Sequence, residues 1–121
     1  KWVAHCHCSM CRRGSGAAFV TWVGLEAANS RIVDPHGLLH WYRSSEQGER
    51  GSCRRCGTPL FFRSTRWPGE LHVTLANFDG PVDRAPEGID AGTVGQVGRD
   101  HAPAGAGQGE EIAVPSPPCR R

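Results

Sequence analysis

The sequence is 121 residues long and carries 14 Lys and Arg against 12 Asp and Glu, a formal net charge of +2. That length allows at most one domain, and so mild a charge excludes an electrostatic argument for nucleic acid as a partner. Hydrophobic residues make up 38%, Gly and Pro number 16 and 9, and no Phe, Trp, Tyr or Leu follows Phe78. A core is therefore expected from the first two-thirds of the chain, with a disulfide or metal staple to support it.

No apolar run approaches the roughly 18 residues of a membrane span, and no signal-peptide pattern opens the chain. A cytoplasmic protein with no membrane partner is expected. The chain begins at Lys1 and its one methionine is Met10, so further residues upstream of Lys1 are expected as well.

In chain order, Trp2 to His5 reads as the end of a strand entering a cysteine cluster, HCHCSMC, and residues 12–16 (RRGSG) read as a turn. The segment 17–25 (AAFVTWVGL) is rich in β-branched and aromatic residues and reads as a strand. A loop or short helical turn is expected at 26–30, then short strands at 31–33 and 38–43 around the turn signal Asp34-Pro35-His36-Gly37. Residues 44–48 form a polar turn, after which Arg50 leads into a second cluster, CRRC. The clearest remaining strands are 58–64 (TPLFFRS) and 70–76 (ELHVTLA). In the latter, Leu71, Val73 and Leu75 alternate with polar residues, as in a half-buried strand. From Arg84 onward, Gly, Ala and Pro are scattered among charges without periodicity. Such a segment buries too little apolar surface to offset its ordering entropy, so 84–121 is expected as a disordered tail.

Five of the six cysteines fall in the two clusters, C-x-C-x-x-C at Cys6, Cys8 and Cys11 and C-x-x-C at Cys53 and Cys56. Zinc held by thiolates at about 2.3 Å needs neighbouring sulfurs under ~4 Å apart, and a C-x-x-C turn delivers two of them to one side of a tight loop. A C-x-C pair in extended chain also points to one face, about 6.6 Å apart. Three near-adjacent thiols cannot all pair locally as disulfides, and a C-x-C bridge is strained. The βαβ context of a redox C-x-x-C is not visible.

Two divisions of the cysteines are open from spacing. One is a single four-thiolate site on Cys8, Cys11, Cys53 and Cys56, holding the fold together across residues 12–52. The other is two sites, with Cys6, Cys8 and Cys11 around an ion that keeps an exchangeable position, the format of catalytic zinc.

The motifs CHCSMCRRGSGAAFVTWV, YRSSEQGERGSCRRCGTPLFFRS and LHVTLANFD followed by Pro81 together resemble the glutathione-dependent formaldehyde-activating enzyme family, which includes centromere protein V. The resemblance covers about Val3 to Pro86. It implies a mainly β, zinc-bearing β-tent fold of short antiparallel strands, with the zinc domain at 1–83, incomplete at its N-terminus, and the tail at 84–121. It favours two zinc sites: a catalytic one on Cys6, Cys8 and Cys11, and a structural one of which Cys53 and Cys56 are half. The family's other half is an upstream C-x-C that this chain lacks, and Cys119 in the tail is a poor substitute. His5, His7 and His72 read as ordinary polar neighbours.

The implied activity is that of a carbon–sulfur lyase acting on a glutathione–aldehyde adduct such as S-hydroxymethylglutathione. Arg12, Arg13 or Arg50 would pair with the carboxylates of the tripeptide, and Gly14 and Gly16 would permit a tight turn beside the first cluster. The rival reading is a non-enzymatic zinc module binding a protein or nucleic acid, which a basic surface patch near Arg54 and Arg55 would support.

Overall fold

The computed structural model describes residues 1–86, 89–90 and 110–114. Its main sheet runs in the order β4-β5-β6-β7-β2-β1-β8. The strands are β1 (Trp2–Cys6), β2 (Val20–Glu26), β4 (Leu39–Arg43), β5 (Gly48–Cys53), β6 (Pro59–Ser64), β7 (Glu70–Thr74) and β8 (Ile89–Asp90). All neighbours are antiparallel except β8, which runs parallel to β1. A second sheet pairs β3 (Ser30–Val33) with β9 (Glu110–Ala113) in parallel. The protein is mainly antiparallel β, as the sequence leads one to expect.

Register explains the core. The partners Val3, Val23, Val73, Phe61, Gly51 and Trp41 form one continuous row across six strands, so their side chains share a face. Val3, Val73, Phe61 and Leu60 are at most 1% exposed, and each such side chain contributes about 1.5–3 kcal/mol by burial. Gly51 leaves the gap across which Phe61 and Trp41 stack, with ring centroids 6.0 Å apart. A Cβ there would meet Phe61 and Leu39 at 3.1 Å.

The adjacent row, Trp2, Gly24, His72, Phe62, Arg50 and Tyr42, occupies the opposite face. The Trp2 indole lies directly over Gly24, where a Cβ would fall 2.2 Å from the ring. Glycine is thus required there by space alone.

Three expectations are corrected. Residues 12–16 are not a free turn, because a short helix α1 spans Ser9–Ser15. The segment Gly48–Cys53 is a strand, although GERGSC lacks the residues that signal one; pairing with β4 and β6 on either side overrides its weak propensity. The segment 110–114, expected within a disordered tail, pairs with β3 and buries Ile112 and Val114 in the core, with Ile32 packed against them. These two aliphatic residues escape a search for aromatic and leucine content. Of the expected tail, 87–88, 91–109 and 115–121, including Cys119, lie outside the described residues.

Candidate metal centre

Three local devices bring the first cysteine cluster together. Cys6 ends β1, where alternation turns it to the face opposite Val3. Cys8 is the N-cap of α1, with extended backbone at φ −60° and ψ 149°, and its Sγ accepts the Cys11 backbone N–H at 3.3 Å. This is the geometry in which a serine or aspartate caps a helix, and it sets the Cys8 and Cys11 sulfurs on one side of the first turn. At the other end, Gly16 adopts φ 70° and donates to the Arg12 carbonyl at 2.8 Å, closing the helix after two turns.

The result is a group of three sulfurs lying within 4.8 Å of one another. Cys11 is buried, while Cys6 and Cys8 are half-buried. The Cys6 thiol donates to Cys11 Sγ at 3.4 Å. That hydrogen bond, aided by the charge of Arg50 and opposed by burial, lowers the Cys11 thiol to about 5. The same hydrogen bond and burial push Cys6 up. The two thiols are thus driven in opposite directions, Cys11 toward ionisation and Cys6 away from it. Arg50 reaches the cluster from β5, its Nη2 donating to Cys11 Sγ at 3.6 Å.

A zinc ion fits these donors. Bonds of about 2.3 Å in tetrahedral geometry place ligand sulfurs about 3.8 Å apart, inside the spread that the three sulfurs already have. Three ligands from the chain would leave such an ion a fourth position for an exchangeable group.

The other expected residues are distributed differently. His5 Nδ1 shares a hydrogen bond with Thr21 Oγ1 at 2.9 Å, and both His5 and His7 pack on Phe19, with centroids 4.7 and 5.1 Å away. His72 bonds Glu70 Oε2 at 3.1 Å inside a ring of Trp2, Phe62 and Trp67. Arg12 and Arg13 are exposed in the last turn of α1. Cys53 and Cys56 flank a turn after β5, closed by Gly57 N–H to Cys53 O at 2.8 Å and Cys53 N–H to Thr58 O at 3.0 Å. Cys53 is 1% exposed and packs in the core with Val3, whereas Cys56 is exposed and lies 3.0 Å from Thr58 Oγ1. Among the described residues, no group of three or more Cys, His, Asp or Glu ligand atoms includes either of them. The structure thus gathers Cys6, Cys8 and Cys11 and does not bring Cys53 or Cys56 to them.

A family model described as glutathione-dependent formaldehyde-activating enzyme matches residues 1–90. The chain belongs to that family. A curated relative from Halomonas elongata, named "Putative glutathione-dependent formaldehyde-activating enzyme", is 31% identical over 91 residues, covering 69% of this chain and 57% of the relative. The chain thus spans little more than half the length of that relative. The family match takes in both cysteine clusters, Arg50 and the strands β1 to β8, and it stops short of β9. No helix among the described residues is long and apolar enough to cross a membrane.

Proposed function

We propose that this glutathione-dependent formaldehyde-activating family chain carries a zinc ion on Cys6, Cys8 and Cys11 and acts as a carbon–sulfur lyase. It would interconvert glutathione and formaldehyde with S-hydroxymethylglutathione. The observation that carries the reading is the convergence of three cysteine sulfurs from a strand end and a helix N-terminus.

When bound, such an ion supplies one open position at which a substrate thiolate is held or an aldehyde oxygen polarised. The cysteines leave an ion with three thiolates, a weak Lewis acid, which suits delivery of a sulfur nucleophile better than ionising water. In the synthetic direction the glutathione sulfur forms a bond to the formaldehyde carbon and the carbonyl π bond opens. The thiol proton ends on the new hydroxyl oxygen, so neither oxidant nor reductant is needed. The half-buried state of Cys6 and Cys8 and the exposure of Phe19 beside His7 support access of a small thiol to the cluster.

Cys53 and Cys56 are proposed as part of a second, structural zinc site, and the site residues of the first as a unit in a reducing, cytoplasmic setting. The test is adduct exchange in zinc-loaded protein, followed by NMR with glutathione and formaldehyde at equilibrium. Acceleration above the spontaneous rate, absent in protein lacking Cys11, is expected. A zinc-loaded chain that leaves the exchange rate unchanged would sink the lyase reading and favour a non-enzymatic zinc module.

A further inference from the structure

We propose that Arg50 is the positioning residue of the sulfur cluster: its guanidinium offsets the negative charge gathered by Cys6, Cys8 and Cys11 and so sets how tightly they hold a divalent metal. The inference rests on the metal reading above and goes beyond it by assigning a residue remote in sequence to the site.

Geometry comes first. Arg50 Nη2 stands 3.6 Å from Cys11 Sγ, within reach of a charge-assisted N–H···S hydrogen bond. Arg50 and Phe62 are directly opposite in the β5–β6 register, and the guanidinium lies 5.1 Å from the Phe62 ring centroid. Phe62 is itself braced by Trp22, Trp67 and His72, at centroid distances of 6.1, 6.2 and 5.5 Å. The guanidinium is thus held in place by the protein, and loading a metal need not freeze a mobile side chain.

Charge points the same way. Arg31 and Arg63 each take a glutamate, Glu111 and Glu49. Among the described residues no carboxylate forms an ion pair with Arg50. Its anionic partner is the sulfur cluster. Three thiolates around a divalent ion carry a net charge of −1, and an incoming fourth thiolate would make it −2. A fixed cation at hydrogen-bond distance offsets part of that charge. Lysine does this less well, because it lacks the planar group that stacks on Phe62 while donating to sulfur.

The sequence alone suggested another duty for Arg50, pairing with a carboxylate of the tripeptide, and the two roles separate experimentally. Zinc affinity of the full chain is measured by chelator competition for wild type, R50K and R50M, alongside the cobalt-substituted spectrum of each. Outer partners of metal ligands are typically worth about 10- to 100-fold in affinity. R50M should therefore bind zinc about 10- to 100-fold more weakly, with R50K between. Its sulfur-to-cobalt charge-transfer band should move to lower energy, as expected when a thiolate loses a hydrogen bond. A purely structural role of Arg50 would leave that band where it is.

If R50M does not fold, as judged by circular dichroism of the metal-free chain, R50Q removes the charge with a smaller loss of packing and carries the same expectation. Wild-type zinc affinity and an unmoved band in the folded variant would overturn the proposal. So would a loss confined to glutathione binding, which would mark a carboxylate clamp instead. A wild-type chain that binds neither zinc nor cobalt through Cys6, Cys8 and Cys11 would overturn the metal reading itself, and the role of Arg50 with it.

Discussion

The two C-x-x-C pairs share a spacing and little else. Cys8 and Cys11 sit on the first turn of a helix, with a strand end delivering Cys6 to the same point and β5 delivering a cation. Cys53 and Cys56 sit on a turn after β5, Cys53 a buried residue and Cys56 an exposed one. The spacing of two cysteines thus specifies a tight turn in both places. What makes one of them a candidate metal centre is the third sulfur and the cation, which come from separate strands.

The largest contrast is expected from single cysteine changes. C11A should lower the zinc content by one ion per chain, measured by elemental analysis, and abolish any adduct exchange. C56A should leave the ion on Cys6, Cys8 and Cys11 in place. If both variants lose the same ion, the clusters are one site and the contrast fails.

In metal-free protein the order reverses. C53S places a hydroxyl among Val3, Leu60 and Phe61 and should cost about 1–3 kcal/mol in urea unfolding. C56S, at the surface, should cost under about 0.5 kcal/mol. On the face that carries the metal centre, G24A would drive a methyl into the Trp2 ring and should cost about 1–3 kcal/mol, with a change in tryptophan fluorescence. An unchanged midpoint and spectrum would show that Trp2 yields freely.

The smallest effect concerns Glu70. Its hydrogen bond with His72, with help from the charges of His72 and Lys1, holds its carboxyl below the ordinary range. A carboxylate so lowered contributes stability that is present above its unfolded-state value and is lost as pH falls through the lowered folded value. E70Q should therefore be less stable than wild type at pH 7 by under about 1 kcal/mol. The two should converge in acid, as read from urea midpoints across pH. A difference that persists in acid would point to packing rather than charge.

Much of this arrangement is legible in the residues. The strands at 58–64 and 70–76 announce themselves through aromatic and alternating patterns, and β6 and β7 occupy nearly those limits. The cysteine cluster is equally plain from spacing. The helix at Ser9–Ser15 is not, because seven residues show no apolar period and the capping side chain is a cysteine, outside the usual capping set. Gly16, placed where a helix closes in the left-handed region, was the available signal. The strand β5 is hidden for a different reason. Its glycines weaken the local signal, yet Gly51 makes room for Phe61 and Leu39 once neighbouring strands arrive. The cost of missing β5 is functional, since it fixes the direction of Arg50.

The pairing of β3 with β9 has a consequence for how the chain reaches this structure. Every antiparallel pairing described can form once Thr74 has been made, whereas Ile32 must wait for Ile112. Closing so long a loop is slow, although the entropic cost grows only logarithmically with its length. The antiparallel sheet and the cysteine cluster can therefore assemble first, leaving Ile32 and the adjoining core uncovered until residues 110–114 dock. During synthesis that exposed edge is the part of the molecule most open to chaperones and to mispairing. Its amides should be among the last to gain protection from hydrogen exchange.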